Sequence, residues 1–292
     1  MWIIMAILSS VFAAVTAILS KAGLKNTNSN VATAVRTSVV LLFAWAIVFI
    51  TGAYQGIGQI SVKSLIFLIL SGLATGASWI CYFKALSIGD VSKVAAVDKS
   101  SVILSVLFAI ITFPEERGRW WVKLICLAAI GVGTLLMIDF KKGEEGDGKS
   151  RLAWLIFALL SAVFAAATSI LAKVGIDGVN SNLATAIRTC VVLILAWVIV
   201  FAKGELKFVK QLNFKHVIFL ILSGIATGAS WLCYYYAIAN GQVSVVVPID
   251  KLSILLTVLF SVVFFKEKLS VKAWAGLALL TIGTVLMAVF AT

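Results

Sequence analysis

The sequence predicts an all-α integral membrane protein with ten transmembrane helices, arranged as two inverted-topology five-helix repeats. Composition is the first of three observations behind this prediction. Hydrophobic residues make up 62% of the 292 positions, charged residues make up 12%, and the mean hydropathy is +1.12. Soluble domains contain about 25% charged residues, so this composition indicates a membrane protein.

An internal duplication is the second observation. The segment NSNVATAVRT at 28–37 returns as NSNLATAIRT at 180–189, a shift of 152 positions. At the same shift, SGLATGASW at 71–79 returns as SGIATGASW at 223–231, and Asp98-Lys99 returns as Asp250-Lys251. We therefore predict a first repeat at 1–140, a charged and glycine-rich linker at 141–151, and a second repeat at 152–292.

Long apolar segments are the third observation, since about 20 apolar residues cross about 30 Å of hydrocarbon. In the first repeat they lie at about 2–20, 31–51, 64–84, 93–113 and 120–139. The second repeat gives about 152–171, 183–202, 217–237, 245–265 and 272–291. The opening segment lacks the basic leader of a signal peptide, and its counterpart recurs in mid-chain, so it counts as a helix. Five crossings invert the second repeat, an arrangement typical of secondary transporters.

Spans one, three and four of each repeat carry polar residues at helical spacing, so we expect them to surround a water-filled substrate cavity. The expected lining residues of the first repeat are Ser9, Thr16, Ser71, Thr75, Ser78, Trp79, Tyr82 and Ser101. Those of the second repeat are Ser161, Thr168, Ser223, Thr227, Ser230, Trp231, Tyr234 and Ser253. The alternative is that each hydroxyl bonds its own helix backbone or a neighbouring helix. Spans five and ten carry few polar residues and are expected to be scaffold or a dimer surface.

Charged residues inside the spans are candidates for coupling or gating, because charge at membrane depth requires partners. These residues are Arg36, Asp98, Lys99, Arg188, Asp250 and Lys251. Arg36 can pair with Asp98, and Arg188 with Asp250. The excess of positive charge favours an anion or the carboxylate end of a zwitterion. The alternative interpretation is a structural salt bridge at each gate.

Two backbone features complete the prediction of the spans. Pro248 in the ninth span is expected to free a carbonyl group and bend that helix, whereas its counterpart in the first repeat is Ala96. Glycine pairs spaced four residues apart, at 72 and 76 and again at 224 and 228, predict close helix packing.

Several function classes have few residues to support them. The four cysteines (81, 126, 190 and 233) lie in apolar segments without metal-ligand spacing, and His216 lies in a lysine-rich loop. We predict no catalytic residues, no metal site and no cofactor, and therefore not an enzyme. No phosphate-binding loop is found, so transport is expected to use a gradient. Basic residues occur in short clusters, which argues against a nucleic-acid partner.

The distribution of basic residues predicts an orientation. Of the 24 Lys and Arg residues, four lie within spans and five lie in loops on one side: Lys63, Arg117, Arg119, Lys123 and Lys173. The other fifteen lie on the side of the linker. Because cytoplasmic loops are enriched in Lys and Arg, we expect a multi-pass protein of the plasma or inner membrane with both termini outside.

The two halves resemble EamA-type members of the drug/metabolite transporter superfamily. The resemblance lies in residues 71–86, GDV at 89–91 and Glu115, and in residues 223–239, GQVS at 241–244 and EKLS at 267–270. The glycine-containing closing spans at 131–134 and 276–284 also fit. This resemblance implies a proton-coupled or facilitative exporter of small metabolites, helix-end roles for Glu115 and Glu267, and cytoplasmic termini, in conflict with the charge distribution.

The leading hypothesis is therefore a secondary transporter that exports amino acids or similar small metabolites, as a monomer or homodimer, by alternating access. A multidrug cation/proton antiporter is an alternative, but the first span of each repeat lacks a membrane carboxylate. A non-transporting structural or lipid-scrambling membrane protein is another alternative. The expected partners are a small-molecule substrate, the lipid bilayer and protons as the coupling ion.

Overall fold

A computed structural model describes residues 1–23, 27–88, 94, 97–98, 100–137, 148–265 and 270–291. The helices of the first repeat are α1 (Trp2–Gly23), α2 (Ser29–Ile50), α3 (Val62–Ile88), α4 (Ser101–Thr112) and α5 (Trp120–Leu136). Those of the second are α6 (Gly148–Ile176), α7 (Ser181–Ala202), α8 (Phe214–Asn240), α9 (Val243–Lys251), α10 (Ser253–Phe265) and α11 (Val271–Phe290). Short 3₁₀ helices lie at Ala53–Gln59, Pro114–Arg117 and Glu205–Gln211.

Helix length confirms the predicted all-α membrane fold. Within the described ranges, eight helical segments are long and apolar enough to cross a membrane. The predicted fourth and fifth spans correspond to shorter apolar helices, α4 and α5, of 12 and 17 residues. The predicted ninth span comprises α9 and α10, which meet at Leu252 and together supply one of the eight segments, Val243–Phe260. Many large apolar side chains are exposed, including Leu42 at 72%, as expected of a surface that faces lipid.

The repeated NSN motif begins the second helix of each repeat. The side-chain oxygen of Asn28 accepts hydrogen bonds from the backbone N–H groups of Asn30 and Val31. Asn180 caps α7 in the same way. Asparagine at the N-cap satisfies helix donors that otherwise have no partner, so this motif fixes the start of the helix that carries the arginine found in both repeats.

Two compact units make up the structure, and neither coincides with a repeat. Unit 1 comprises Met1–Gly76 and Leu171–Gly241, and unit 2 comprises Ala77–Ile170 and Gln242–Thr292. In unit 1, α1 packs on α8, and α2 packs on α7 and α8. In unit 2, α5 packs on α11, and α4 packs on α9. Each of these pairings joins a helix of the first repeat to a helix of the second.

The glycine pairs allow close helix packing in unit 1, as predicted. A Cβ atom built on Gly72 would lie 2.7 Å from the Cβ of Val191 on α7. One built on Gly224 would lie 2.7 Å from the Cβ of Val39 on α2. Side chains cannot approach that closely, so any larger residue would separate α3 from α7 or α8 from α2.

Candidate functional site

Arg188 on α7 lies within a buried polar and aromatic cluster of unit 1, with 1% of its surface exposed. Its Nε donates to Ser71 Oγ at 3.3 Å, and its Nη2 donates to Thr75 Oγ1 at 2.8 Å. The guanidinium carbon lies 4.2 Å from the ring centroid of Tyr235 and 5.4 Å from that of Trp231. We call these five residues the Arg188 cluster. Among the described residues, Nη1 is buried without a hydrogen-bond partner.

Helical spacing assembles the Arg188 cluster from three elements. Ser71 and Thr75 lie one turn apart on α3, and Trp231 and Tyr235 lie one turn apart on α8, so each pair shares a helix face. Gly72 brings α3 close enough to α7 for the two hydroxyl groups to reach Arg188. The Thr75 hydroxyl donates to the Ser71 carbonyl oxygen at 3.0 Å, which leaves its lone pairs to accept from the guanidinium.

Arg36 on α2 is the repeat counterpart of Arg188 and has a different environment. It is half-buried, and its Nη1 donates to Ser20 Oγ at 2.7 Å. The Ser20 hydroxyl is in turn hydrogen-bonded to Ser223 Oγ at 2.7 Å. Further hydroxyl contacts join α1 to α8, including Thr227 with Thr16 at 3.3 Å. Ser20 therefore stands between Arg36 and the hydroxyl groups of α8.

Asp98 belongs to a polar group in unit 2. Its Oδ1 accepts a hydrogen bond from Ser161 Oγ at 2.8 Å. Ser78 Oγ lies 3.2 Å from Ser161 Oγ and donates to the Ser161 carbonyl oxygen at 3.1 Å. The structure thus connects one predicted coupling residue to two predicted lining residues of spans three and six.

A tightened turn follows each of the two membrane aspartates. The backbone N–H of Ser100 donates to the Val97 carbonyl, and that of Leu252 donates to the Ile249 carbonyl, each at 3.0 Å. These i→i−3 bonds form a tighter, 3₁₀-type turn at equivalent positions of the two repeats, and both Ser100 and Leu252 keep right-handed helical backbone angles. The tighter turn in the second repeat comes after Pro248 and not at the residue itself. The first repeat makes the same turn without a proline, so the expectation that Pro248 bends the span does not account for it.

Other predicted lining residues mostly form helix contacts, in line with the alternative weighed above. Ser9 Oγ lies 3.2 Å from Ser230 Oγ in unit 1, the counterpart of the contact between Ser161 and Ser78. Thr168 donates to the backbone of its own helix, to the carbonyl of Phe164. Ser101 is buried. The remaining predicted residues that the structure describes are half-buried: Trp79, Tyr82, Tyr234, Asp250, Lys251 and Ser253.

Some predicted ion pairs involve residues of different units, and some predicted residues lie outside the described ranges. The pairings of Arg36 with Asp98 and of Arg188 with Asp250 link residues of different units and stay predictions. Within unit 1, the partners of both arginines are uncharged. Lys99, Glu267 and linker residues 141–147 lie outside the described residues.

Glu115 and its neighbour Glu116 both lie in the first turn of the 3₁₀ helix Pro114–Arg117, but their environments differ. Glu115 is exposed, whereas Glu116 is fully buried and forms a 3.1 Å ion pair with the buried Lys123. Glu116 also accepts hydrogen bonds from the backbone N–H groups of Val243 and Ser244 and from the Ser244 hydroxyl. A carboxylate at the first turn of α9 is favoured by the helix dipole. Lys123, expected in a loop, is thus part of the interior of unit 2.

Two further residues of the arginine environments were missed. Tyr235 was passed over for its neighbour Tyr234, whose ring lies 5.1 Å away in an edge-on contact. The spacing of four residues from Trp231 would have indicated Tyr235. Ser20 was missed because its counterpart in the second repeat is Ala172, so the stripe is not duplicated.

Comparison with known proteins identifies the family of the chain. The model of the EamA-like transporter family matches residues 1–138 and again residues 152–289. The chain belongs to the EamA-like transporter family. Membership agrees with the resemblance noted from the sequence, and membrane transport is the function that it establishes.

Relatives of this EamA-like protein include a Sinorhizobium protein named as an uncharacterized transporter. That protein is 46% identical over 138 residues, which are 47% of this chain and 98% of the relative. An uncharacterized protein of Methanocaldococcus jannaschii is 28% identical over 135 residues, 46% of this chain and 96% of its own length. A solved crystal structure with 16% identity covers 99% of this chain and 96% of its own, with a TM-score of 0.79, and shows the same fold.

Proposed function

We propose that this EamA-like transporter is a secondary active exporter of amino acids or similar small metabolites, coupled to protons and working by alternating access. The observation that carries the proposal is the pair of tighter turns in unit 2. Each turn contains an aspartate of a predicted membrane span, at the same position of the two repeats. A stretch of 3₁₀ geometry within a helix often marks a functional hinge.

Asp98 and Asp250 are the proposed proton-binding residues. Intramembrane carboxylates are costly to retain and commonly serve as proton relays. Asp98 is half-buried, and its Oδ1 accepts a hydrogen bond from Ser161. Asp250 occupies the equivalent position next to Lys251, and its protonation is proposed to alternate with that of Asp98 during the transport cycle.

Proteoliposomes test this proposal. We expect Asp98→Asn and Asp250→Asn to abolish the dependence of amino-acid efflux on a pH gradient, because an amide keeps the shape of the side chain and cannot bind the proton. Asp177→Asn is the matched control, since that side chain is exposed and its backbone carbonyl, rather than its carboxylate, accepts from Ser64. Parental rates across pH in both membrane variants would refute proton coupling. Lipid flip without solute flux would favour the scrambling alternative.

Orientation is the second part of the proposal. The excess of basic residues on the linker side supports cytoplasmic placement of the linker, with both termini outside, in the plasma or inner membrane. A cysteine added after Thr292 should then react with an impermeant maleimide in intact cells. Labelling only after permeabilisation would support cytoplasmic termini, as the family resemblance implies.

A further inference from the structure

We infer that Arg188 recognises a carboxylate of the transported solute, so that the substrate class is small carboxylates such as amino acids. This inference rests on the proposed function, since it names the group of the solute that the transporter binds. The site is the Arg188 cluster of unit 1, defined by contacts within that unit alone.

The buried positive charge of Arg188 calls for a partner of negative charge. A guanidinium remains protonated in proteins, and a buried charge is costly unless a charge of opposite sign accompanies it. Unit 1 contains two acidic residues, Asp177 and Glu205. Asp177 is exposed, and Glu205 accepts a hydrogen bond from Asn30 at 2.8 Å. Neither carboxylate pairs with Arg188, whose partners in unit 1 are hydroxyl groups and aromatic rings.

The Nη1 atom of Arg188 is a second indication of a missing ligand. Nε and Nη2 are held by Ser71 and Thr75, and the rings of Trp231 and Tyr235 lie within 5.4 Å of the guanidinium carbon. Buried donors are nearly always hydrogen-bonded, yet Nη1 has no partner among the described residues. A carboxylate that accepts from Nη1 would supply both the missing hydrogen bond and the missing negative charge.

The two hydroxyl groups and the two rings fix the orientation of the guanidinium before a ligand arrives. A donor held in place in this way loses little conformational entropy on binding, which favours affinity. Arg36 lacks this arrangement, because it is half-buried and its Nη1 is already bonded to Ser20. The repeat therefore supplies a matched control: an arginine at the same position of the other half, with no unpartnered buried nitrogen.

Equilibrium binding to the purified full-length protein tests the inference. The probes are the twenty L-amino acids, followed by the carboxamide of each one that binds. We expect each carboxamide to bind at least about tenfold more weakly than the acid, the difference that a charge-assisted hydrogen bond supplies. Arg188→Gln should remove this preference, and Arg36→Gln should retain it.

The outcomes separate the inference from the proposed function. Equal binding of acid and carboxamide to the parental protein, or no binding of any acid, would overturn the inference, and this test does not require a variant to fold. A preference that survives in Arg188→Gln would also overturn it. Binding that depends on the carboxylate, without efflux from proteoliposomes, would support the site and refute the proposed transport function. Efflux of acid and carboxamide at equal rates would support the proposed transport function and refute the role of Arg188 in carboxylate recognition.

Discussion

Arg36 and Arg188 occupy the same position in the two repeats and lie in the same unit, yet their surroundings differ. The Arg36 guanidinium donates to Ser20, which bonds Ser223 on α8. Arg188 bonds Ser71 and Thr75, the counterparts of Ser223 and Thr227, directly. The first arginine is half-buried, and the second is 1% exposed.

The residue that holds Arg36 has no hydroxyl counterpart in the second repeat. Ser20 is matched by Ala172, which is fully buried and has no hydroxyl group. Arg188 is held instead by Ser71 and Thr75 of α3. We expect this exchange of serine for alanine to set much of the difference between the two arginines.

The largest loss of stability is expected when the hydrogen-bond partners of Arg188 are removed. The double variant Ser71→Ala/Thr75→Ala removes both hydrogen-bond acceptors from a buried charge, so we expect the free energy of unfolding to fall by about 3 kcal/mol or more. Its mirror, Ser223→Ala/Thr227→Ala, removes bonds between uncharged groups and should cost about 1–2 kcal/mol. Denaturant titration in detergent measures both. Equal losses would mean that the two arginines are held alike.

An intermediate effect is expected at Ser20. Ser20→Ala removes the acceptor of Arg36 Nη1, but Arg36 is half-buried, so water can replace part of the lost bond. We expect a loss of about 1 kcal/mol in the free energy of unfolding. The reciprocal variant, Ala172→Ser, offers Arg188 a hydroxyl group and should weaken its preference for carboxylate ligands. An unchanged preference for acid over carboxamide in Ala172→Ser would show that residue 172 does not set the difference.

The sequence predicted the membrane spans and the repeated polar residues better than it predicted the contacts between them. Hydropathy located the spans because the bilayer imposes their length, and the duplication identified both arginines and the hydroxyl groups of spans three and eight. Partners were harder to predict, because they depend on which helices pack together. Ser9 contacts Ser230, and Ser161 contacts Ser78. Each contact joins helices of different repeats, and no local sequence pattern shows which helices are neighbours. The buried contacts of Tyr235 and Glu116 were not predicted, since spacing alone does not fix which of two adjacent residues faces inward.

The smallest effect is expected at the clearest mismatch between the repeats, Pro248 against Ala96. Proline inside a helix removes one backbone donor, so Pro248→Ala would restore a hydrogen bond and abolish the turn if proline caused it. The first repeat forms the equivalent turn at Ser100 with the same 3.0 Å bond and no proline.

We therefore expect Pro248→Ala to leave the rate of efflux from proteoliposomes unchanged, while Asp250→Asn in the same assay loses its response to the pH gradient and shows that the assay is sensitive. A strong loss of efflux in Pro248→Ala would mean that the tighter turn of the ninth span depends on proline. The two turns would then have different causes, and the asymmetry between the repeats would extend from the arginines of unit 1 to the aspartates of unit 2.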